Sequence, residues 1–186
     1  MTEQQFLSLI RRNPNNAAIL ERLPQLGLAD CWLVSGALFQ TVWNLRSGLP
    51  PAHGILDYDI FYFDPDTSWE AEDRVIAHGN AIFADLDATV QIRNQARVHL
   101  WYERKFTMPY PPLTRATDGI DRFLIHCSQV GVRPSPTGLE LYAPKGLEDV
   151  AAMMVRPNLV ANFDEGRFLE KARRWQAAWP AVTILT

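Results

Sequence analysis

The fold of this chain is decided by residues 56–63, which read LDYDIFYF. The aromatic and β-branched residues of this stretch predict a β-strand, but Asp57 and Asp59 are of a type that half-buried strand positions disfavour. Because side chains alternate along a strand, both carboxylates point to the same face, roughly 6.6 Å apart at about 3.3 Å of rise per residue. The stretch therefore predicts a strand that brings two negative charges together.

Two carboxylates at this spacing repel each other and raise each other's pKa, so a shared cation is their natural partner. Mg²⁺ fits best, because it prefers oxygen ligands and is usually held by one or two carboxylates together with the phosphates of a substrate. A solvated strand end is the alternative interpretation of the same Asp-x-Asp pair. The segment that precedes the strand helps to choose between them.

A strand, a turn and a helix come before the aspartates. The apolar run at 30–34 predicts the strand, and apolar residues at helical spacing over 37–45 predict the helix. Ser35 and Gly36 lie between them. Gly36 lets the backbone approach a ligand closely, and the helix N-terminus offers free N–H groups and a positive dipole end, which suit phosphate. Alternatively, Ser35 is a plain N-cap of the helix.

Composition limits the class of protein. A chain of 186 residues, 47% of them hydrophobic, can bury a core, and we expect a single domain over 1–186. The formal net charge of −3 provides no broad basic field, so strong nonspecific binding to nucleic acid is not expected. Cys31 and Cys127 have neither CxxC nor zinc-ligand spacing, and we interpret them as buried free thiols.

No apolar run reaches the ~20 residues of a membrane span, and residues 1–5 lack the basic start of a signal peptide. We therefore expect a cytoplasmic protein with no membrane partner.

Polar groups are dense after the strand predicted at 89–92. Asn94, Arg97 and His99 either serve a ligand, or pair with nearby groups and fix the fold.

The last helix, at 168–179, carries Lys171, Arg173 and Arg174 opposite its apolar stripe, and we interpret this basic triplet as a solvated face. Taken together, the elements predict an α/β fold with a small mixed sheet covered by helices. Its strands lie at 30–34, 57–63 and 89–92, and a helical C-terminal region begins at about 115, within which the alternation at 139–143 predicts one further strand.

The motifs Ser35-Gly36-Ala37 and Asp57-Tyr58-Asp59, on consecutive elements, resemble those of the DNA polymerase β-like nucleotidyltransferase superfamily. More narrowly, the chain is similar over nearly its whole length to a bacterial family of nucleotidyltransferase-like proteins of uncharacterised activity. Further segments carry the narrower resemblance: Val42-Trp43-Asn44, Tyr62-Phe63-Asp64, Asn94-Gln95-Ala96-Arg97-Val98-His99-Leu100-Trp101 and Arg156-Pro157-Asn158.

The resemblance implies a nucleotidyltransferase-like fold and metal-dependent transfer of a nucleotidyl group from a nucleoside triphosphate to an acceptor. Asp57 and Asp59 would hold Mg²⁺ or Mn²⁺ and act in catalysis. The segment Ser35-Gly36-Ala37 would bind the nucleotide through its triphosphate. Arg97 would neutralise charge that develops on phosphate.

The chain departs from the superfamily pattern at two positions. Ala37 stands where the superfamily has Gly or Ser, so a hydroxyl that could hold phosphate is missing, although the backbone N–H remains. Gln91 stands at the third-carboxylate position, and a neutral amide cannot accept a proton or offset metal charge as a carboxylate does. Asp87 lies four residues earlier and Asp85 is nearby, so either is a possible substitute.

Two rival functions follow from these departures. One is a noncatalytic nucleotide-binding or regulatory module that has lost the third carboxylate. The other is a structural protein whose aspartates only solvate a strand end. A cleft at Asp57 and Asp59 that faces Ser35-Gly36 and includes another carboxylate would favour the enzyme. A cleft without that carboxylate would favour the binding module, and an Arg97 salt bridge without a cleft would favour the structural protein.

Overall fold

The computed structural model describes residues 1–185, and within them a mixed five-stranded sheet forms the centre of the fold. Its strands are β1 (Cys31–Val34), β2 (Tyr58–Tyr62), β3 (Val90–Asn94), β4 (Gly131–Ser135) and β5 (Gly138–Tyr142). The strand order is β3-β2-β1-β4-β5, in which β2 and β3 are parallel and the other neighbours are antiparallel. The three strands that the sequence predicts are therefore neighbours in the sheet.

Helices precede, separate and follow the strands. They are α1 (Glu3–Ile10), α2 (Pro14–Arg22), α3 (Gly36–Arg46), α4 (Trp69–Ile82), α5 (Val98–Phe106), α6 (Ala116–Asp121), α7 (Glu148–Ala152) and α8 (Glu165–Ala178). Short 3₁₀ turns occupy Leu23–Leu26, Gln95–Arg97 and His126–Ser128. Asn13 caps α2 and Pro14 lies in its first turn, which satisfies N–H groups that have no partner inside a helix.

The two faces of the sheet differ in what covers them. Leu33, Tyr58, Ile60 and Ile92 lie on the face that packs into the main hydrophobic core. Asp59 belongs to the opposite face, since side chains alternate along β2. On that face Trp32 and Val34 pack with Ala116 and Ile120 around α6. Burial of the first face in the core leaves the polar residues of β2 on the other face.

The region after residue 115 contains helices, as predicted, and the strand predicted at 139–143 is present as β5; it joins the main sheet together with β4, which the sequence does not predict. β4 and β5 complete one side of the main sheet, and β6 (Met154–Val155) pairs in parallel with β7 (Thr183–Ile184). β4 begins at Gly131 and contains Pro134, residues that weaken the sequence signal of a strand. Pairing with β1 therefore decides its conformation more than local propensity does.

An aromatic cluster attaches α8 to α3. The rings of Phe39 and Trp43 pack edge-on against Trp175, with centroids 4.9 and 5.9 Å apart respectively. Trp179 also packs against Trp43, and its Nε1 donates a 2.8 Å hydrogen bond to Oδ1 of Asn44. Each such aromatic pair adds about 1 kcal/mol beyond its burial. The cluster therefore fixes where α8 crosses the fold.

Cys31 and Cys127 are free and buried, as expected. Among residues 1–185, no helix combines the length and the apolar character that a membrane crossing requires.

Candidate active site

Asp59 lies at the junction of three strands. In the sheet it is opposite Val34 of β1 and Gln91 of β3. Asp57 precedes β2 on the same side, and both aspartates are half-buried. Burial, together with the neighbouring Asp57 carboxylate, raises the pKa of Asp59 to about 7, while Lys171 and Arg93 act in the opposite direction. The two carboxylates thus form a site at which a bound cation would stabilise the ionised form of both side chains.

Gln91 lies beside this pair. Its Nε2 donates a 3.0 Å hydrogen bond to Oδ2 of Asp57, so the strand position assigned to a third carboxylate does face the aspartates. The amide satisfies one carboxylate oxygen but adds no negative charge.

The two proposed substitutes for a third carboxylate lie elsewhere. Asp85 is bound by Arg22 of α2, whose guanidinium donates to both of its carboxylate oxygens. Asp87 lies in the loop before β3, where its backbone oxygen is near Asn15, because the strand begins only at Val90. Within residues 1–185, no three His, Cys, Asp or Glu side chains are grouped as a metal site. Asp57 and Asp59 are thus the carboxylates available there.

The turn between β1 and α3 is strained. Ser35 has φ 56° and ψ −118°, a conformation that is uncommon for a residue with a Cβ. Its backbone N–H donates to the oxygen of Val130, and its side chain makes no capping hydrogen bond within the described chain. The plain-cap interpretation of Ser35 therefore loses its main support. Among the described residues, the N–H groups of Gly36 and Ala37 remain available for another acceptor, whereas that of Leu38 donates to the Ser35 oxygen over 2.9 Å.

A cleft lies beside Asp57 on the α3 side, and we call it the Arg174 cleft. It measures about 250 Å³. Its lining residues are Gln40, Gly54, Leu56, Asp57, Arg174, Trp175, Ala178 and Trp179. The register of β1 against β2 places the Ser35-Gly36 turn next to the same aspartate. Backbone amides and a guanidinium thus lie on one side of the carboxylates.

A second cleft opens beside Asp59 on the β3 side and measures about 320 Å³. We call it the basic cleft, because five cationic side chains line it: Arg93, Lys105, Arg122, Arg167 and Lys171. Asp59 and Gln91 form the end of the cleft that lies at the candidate active site. Aromatic surface is supplied by Trp101, Tyr102, Phe106 and Tyr110. This volume lies at the lower end of the range for small-molecule sites.

Helix α8 contributes two basic residues to the clefts beside the aspartates, and this changes the interpretation of its basic triplet. Lys171 is half-buried and lines the basic cleft, while Arg174 lines the Arg174 cleft; Arg173 is exposed, as expected. Burial and the neighbouring Arg167 and Arg174 lower the pKa of Lys171, whereas Asp59 and Asp57 raise it. Sequence reasoning missed Lys171 as a site residue because the partner of a helix face depends on how the helix packs.

Arg97 is not brought to the aspartates. Its Nε lies 3.3 Å from Oε2 of Glu72, and a terminal nitrogen donates a 2.6 Å hydrogen bond to the backbone oxygen of Ser68. The guanidinium also covers the ring of Trp69 at 4.6 Å from its centroid. The expected role of Arg97 at phosphate is therefore corrected, since buried contacts with α4 occupy its charged group.

Asn94 has a structural role as well. Its side chain accepts from the N–H groups of Asp64 and Ala96 and donates to the backbone oxygen of Asp64. The polar stretch after β3 therefore fixes the fold at Asn94 and Arg97. His99 is half-buried, and its Nδ1 has no hydrogen-bond partner in the described residues.

A strand that runs into a strained turn at a helix start, followed by a strand that carries paired carboxylates, defines the nucleotidyltransferase class. The chain belongs to the nucleotidyltransferase family, whose model, described as Nucleotidyltransferase, matches residues 21–184. This confirms the resemblance at the level of the family.

One solved structure is similar over the whole chain. It is an NMR structure described as revealing a CCA-adding enzyme head domain. Its sequence is 29% identical, the TM-score is 0.79, and the match covers 100% of this chain and 96% of the other. The predicted α/β, nucleotidyltransferase-like fold is confirmed. No curated protein matches the chain.

Proposed function

We propose that this protein transfers a nucleotidyl group from a nucleoside triphosphate to an acceptor hydroxyl with the help of Mg²⁺ or Mn²⁺. The hydroxyl oxygen attacks the α-phosphorus and forms a new P–O bond. The bond from the α-phosphorus to the bridging oxygen breaks, pyrophosphate leaves, and the hydroxyl proton passes to solvent. Membership of the nucleotidyltransferase family supports this reaction class.

The observation that carries the proposal is the convergence of Asp57 and Asp59 next to the Ser35-Gly36 turn. Two carboxylates, of which one has a pKa raised by burial and by the other, are a suitable donor set for one hard divalent cation. Such an ion, when bound, supplies positive charge that offsets the charge of the phosphates.

The chain's own groups would hold the nucleotide. The N–H groups at the start of α3 suit the triphosphate, since Ser35 leaves them uncapped and Gly36 has no side chain. Arg174 lines the cleft beside Asp57 and Lys171 lines the cleft beside Asp59, where they would offset negative charge on the substrate. Ala37 contributes only its backbone N–H.

One observation favours a second candidate, a noncatalytic nucleotide-binding module. Gln91 occupies the third-carboxylate position, and no further carboxylate joins Asp57 and Asp59 within residues 1–185. A site with one acid fewer binds metal more weakly and lacks a general base at that position. Such a protein would bind the nucleotide without turning it over.

A screen against the four ribonucleoside triphosphates with Mg²⁺ or Mn²⁺ tests both candidates. Thermal shift reports binding, because a ligand of the native state raises apparent stability, and pyrophosphate release reports turnover. Both signals would support the enzyme, and a shift without release would support the binding module. In the double variant Asp57→Asn, Asp59→Asn we expect the ligand-induced shift to vanish. Asp73→Asn, on the exposed face of α4, is the matched control. A full shift in the double variant would exclude both aspartates from the site.

A further inference from the structure

The five cations of the basic cleft form no salt bridges within the described residues. None of the salt bridges within residues 1–185 includes Arg93, Lys105, Arg122, Arg167 or Lys171. Arg93 makes a 3.3 Å hydrogen bond to the backbone oxygen of Ile92, and Arg167 donates to the hydroxyl of Tyr102 over 2.8 Å. Asp59 is the one acidic residue in the lining, so the positive charges of the cleft outnumber the negative ones. Like charges collected in one concave site raise the local concentration of an anionic ligand.

A second feature of the basic cleft points to a ligand. Asn162 lines the cleft with only 2% of the residue exposed. Its Nδ2 donates to the hydroxyl of Tyr102 and to the backbone oxygen of Arg122, but its Oδ1 has no partner among the described groups. A buried acceptor without a donor is costly. A hydroxyl or amine of a bound molecule would satisfy it.

The rims of the basic cleft suit an aromatic group as well as an anion. Trp101 is 36% exposed at the cleft, and Lys105 lies 5.7 Å from the centre of its ring. Arg167 lies 3.9 Å from the centre of the Phe106 ring. Bases stack on aromatic rings and on guanidinium planes. Guanidinium groups also match the geometry of phosphate oxygens. Together these groups fit a phosphorylated nucleoside.

The position of the basic cleft assigns the role of that ligand. The Ser35-Gly36 turn follows β1, and the Arg174 cleft is lined by Gln40 of α3, whereas the strand residues of the basic cleft come from β2 and β3. In an in-line displacement the attacking and leaving oxygens lie on opposite sides of the phosphorus. A triphosphate held at the turn would send pyrophosphate away from β3. The attacking hydroxyl would then enter from the basic cleft.

We infer that the basic cleft binds the acceptor and that the acceptor is a nucleoside phosphate, either free or at the end of an RNA chain. The identification of this ligand as the acceptor rests on the proposed nucleotidyl transfer. The binding site itself rests on the unpaired cations, the Asn162 acceptor and the aromatic rims. Arg93 and Arg122 would bind the phosphate, because neither forms a salt bridge in residues 1–185 and both line the cleft.

The test measures binding of two probes without metal or triphosphate: adenosine monophosphate and a pentamer of oligoadenylate RNA. We compare the double variant Arg93→Gln, Arg122→Gln with Arg173→Gln, which removes an exposed charge from α8 outside the cleft. At least one probe should bind the wild type and the control alike. Its affinity should fall at least tenfold in the double variant, since the variant removes two charged hydrogen-bond donors to the phosphate. Preference for the pentamer would indicate an RNA end, and equal binding a free nucleotide.

Thermal shift by a triphosphate with Mn²⁺ separates this inference from the proposed function. We expect that shift to persist in the double variant while probe binding is lost. Loss of the shift together with probe binding would mean that the basic cleft holds the triphosphate, which would overturn the acceptor assignment. Absence of binding for both probes at millimolar concentration would overturn the phosphorylated acceptor and leave the proposed function standing. An equal loss of probe binding in Arg173→Gln would mean that the loss follows from the net charge of the protein and not from the basic cleft. This result would also overturn the inference.

Discussion

Gln91 Nε2 donates a hydrogen bond to Asp57 Oδ2 over 3.0 Å, across the parallel pair β2 and β3. In the sheet Gln91 is directly opposite Asp59, so one neutral residue pairs with the strand position of Asp59 and binds the carboxylate of Asp57. A carboxylate in its place would add a third negative charge at about hydrogen-bond distance. This relationship makes the metal affinity of the site depend on one residue.

Gln91→Glu should tighten Mn²⁺ binding about tenfold, because the glutamate keeps the side-chain length of Gln91 and adds an anionic ligand beside Asp57 and Asp59. Without metal the same variant should melt at a lower temperature, since three like charges then repel one another. Titration of Mn²⁺ with thermal melting in parallel measures both effects.

The control for this prediction is Gln91→Met, which removes the amide donor and adds no charge. It should not tighten Mn²⁺ binding. Asp85→Asn and Asp87→Asn should leave the Mn²⁺ affinity unchanged, because Arg22 holds Asp85 and Asp87 lies outside β3. A weaker affinity in either of these two variants would contradict the assignment of Asp57 and Asp59 as the ligands present.

Asp59→Asn should stabilise the metal-free protein at pH 8. The pKa of Asp59 rises from its ordinary value of 3.8 to about 7, so the native state binds its proton more tightly than the unfolded chain does. The contribution of Asp59 to the free energy of unfolding is therefore greatest below about pH 4, and it is lost as the pH rises to about 7. After allowance for solvent at this half-buried side chain, the cost of the charged form is roughly 1–2 kcal/mol.

Urea unfolding from pH 4 to pH 8 measures this dependence. The variant should lose the part of the slope that Asp59 causes in the wild type. Saturating Mn²⁺ should also flatten the wild-type curve, because the metal favours the ionised carboxylate. A wild-type protein that becomes more stable between pH 4 and pH 7 without metal, with Asp59→Asn following the same curve, would disprove the burial argument.

Gly36→Val should weaken triphosphate binding about tenfold and cost less than about 1 kcal/mol of folding free energy. A Cβ at this position would meet only Gln40 Nε2, at 3.1 Å, and that atom is the end of a flexible side chain. The branched side chain would instead occupy the space in which backbone approaches phosphate. Nucleotide titration and thermal melting compare the two effects.

The control adds Gln40→Ala to the same variant. Binding should stay weak when Gln40 is shortened, because the obstruction is to phosphate. Recovery of affinity would show that crowding against Gln40 was the cause.

Arg97→Gln should destabilise the protein by about 3 kcal/mol without changing nucleotide affinity in the folded state. The substitution leaves the buried carboxylate of Glu72 without its counter-ion and removes the cation above Trp69. The double variant Arg97→Gln, Glu72→Gln should be more stable than Arg97→Gln alone, since it removes the stranded charge. Urea unfolding and triphosphate titration give the two quantities. A large loss of triphosphate affinity at unchanged stability would mean that Arg97 acts in the active site.

Several parts of the site could be predicted from local sequence. Strand periodicity was enough to place Asp57 and Asp59 together, and the alignment of the next strand was enough to place Gln91 beside them. Weak propensity hid β4, because Gly131 and Pro134 interrupt the strand pattern and β1 supplies the pairing. The Arg97 contacts were ambiguous in the sequence because Glu72 lies 25 residues away along the chain.

The sequence by itself determined the paired carboxylates, the Ser35-Gly36 turn and the missing third acid, because each depends on neighbouring residues or on one strand register. Only the tertiary structure decided that Lys171 lines a cleft with Asp59, that Arg174 lines one with Asp57, and that the charged group of Arg97 contacts Glu72 instead. The position of α8 follows from the packing of Trp175 and Trp179 against α3. A long cationic side chain has no partner specified by its own segment, so packing between distant elements determines which charge it meets.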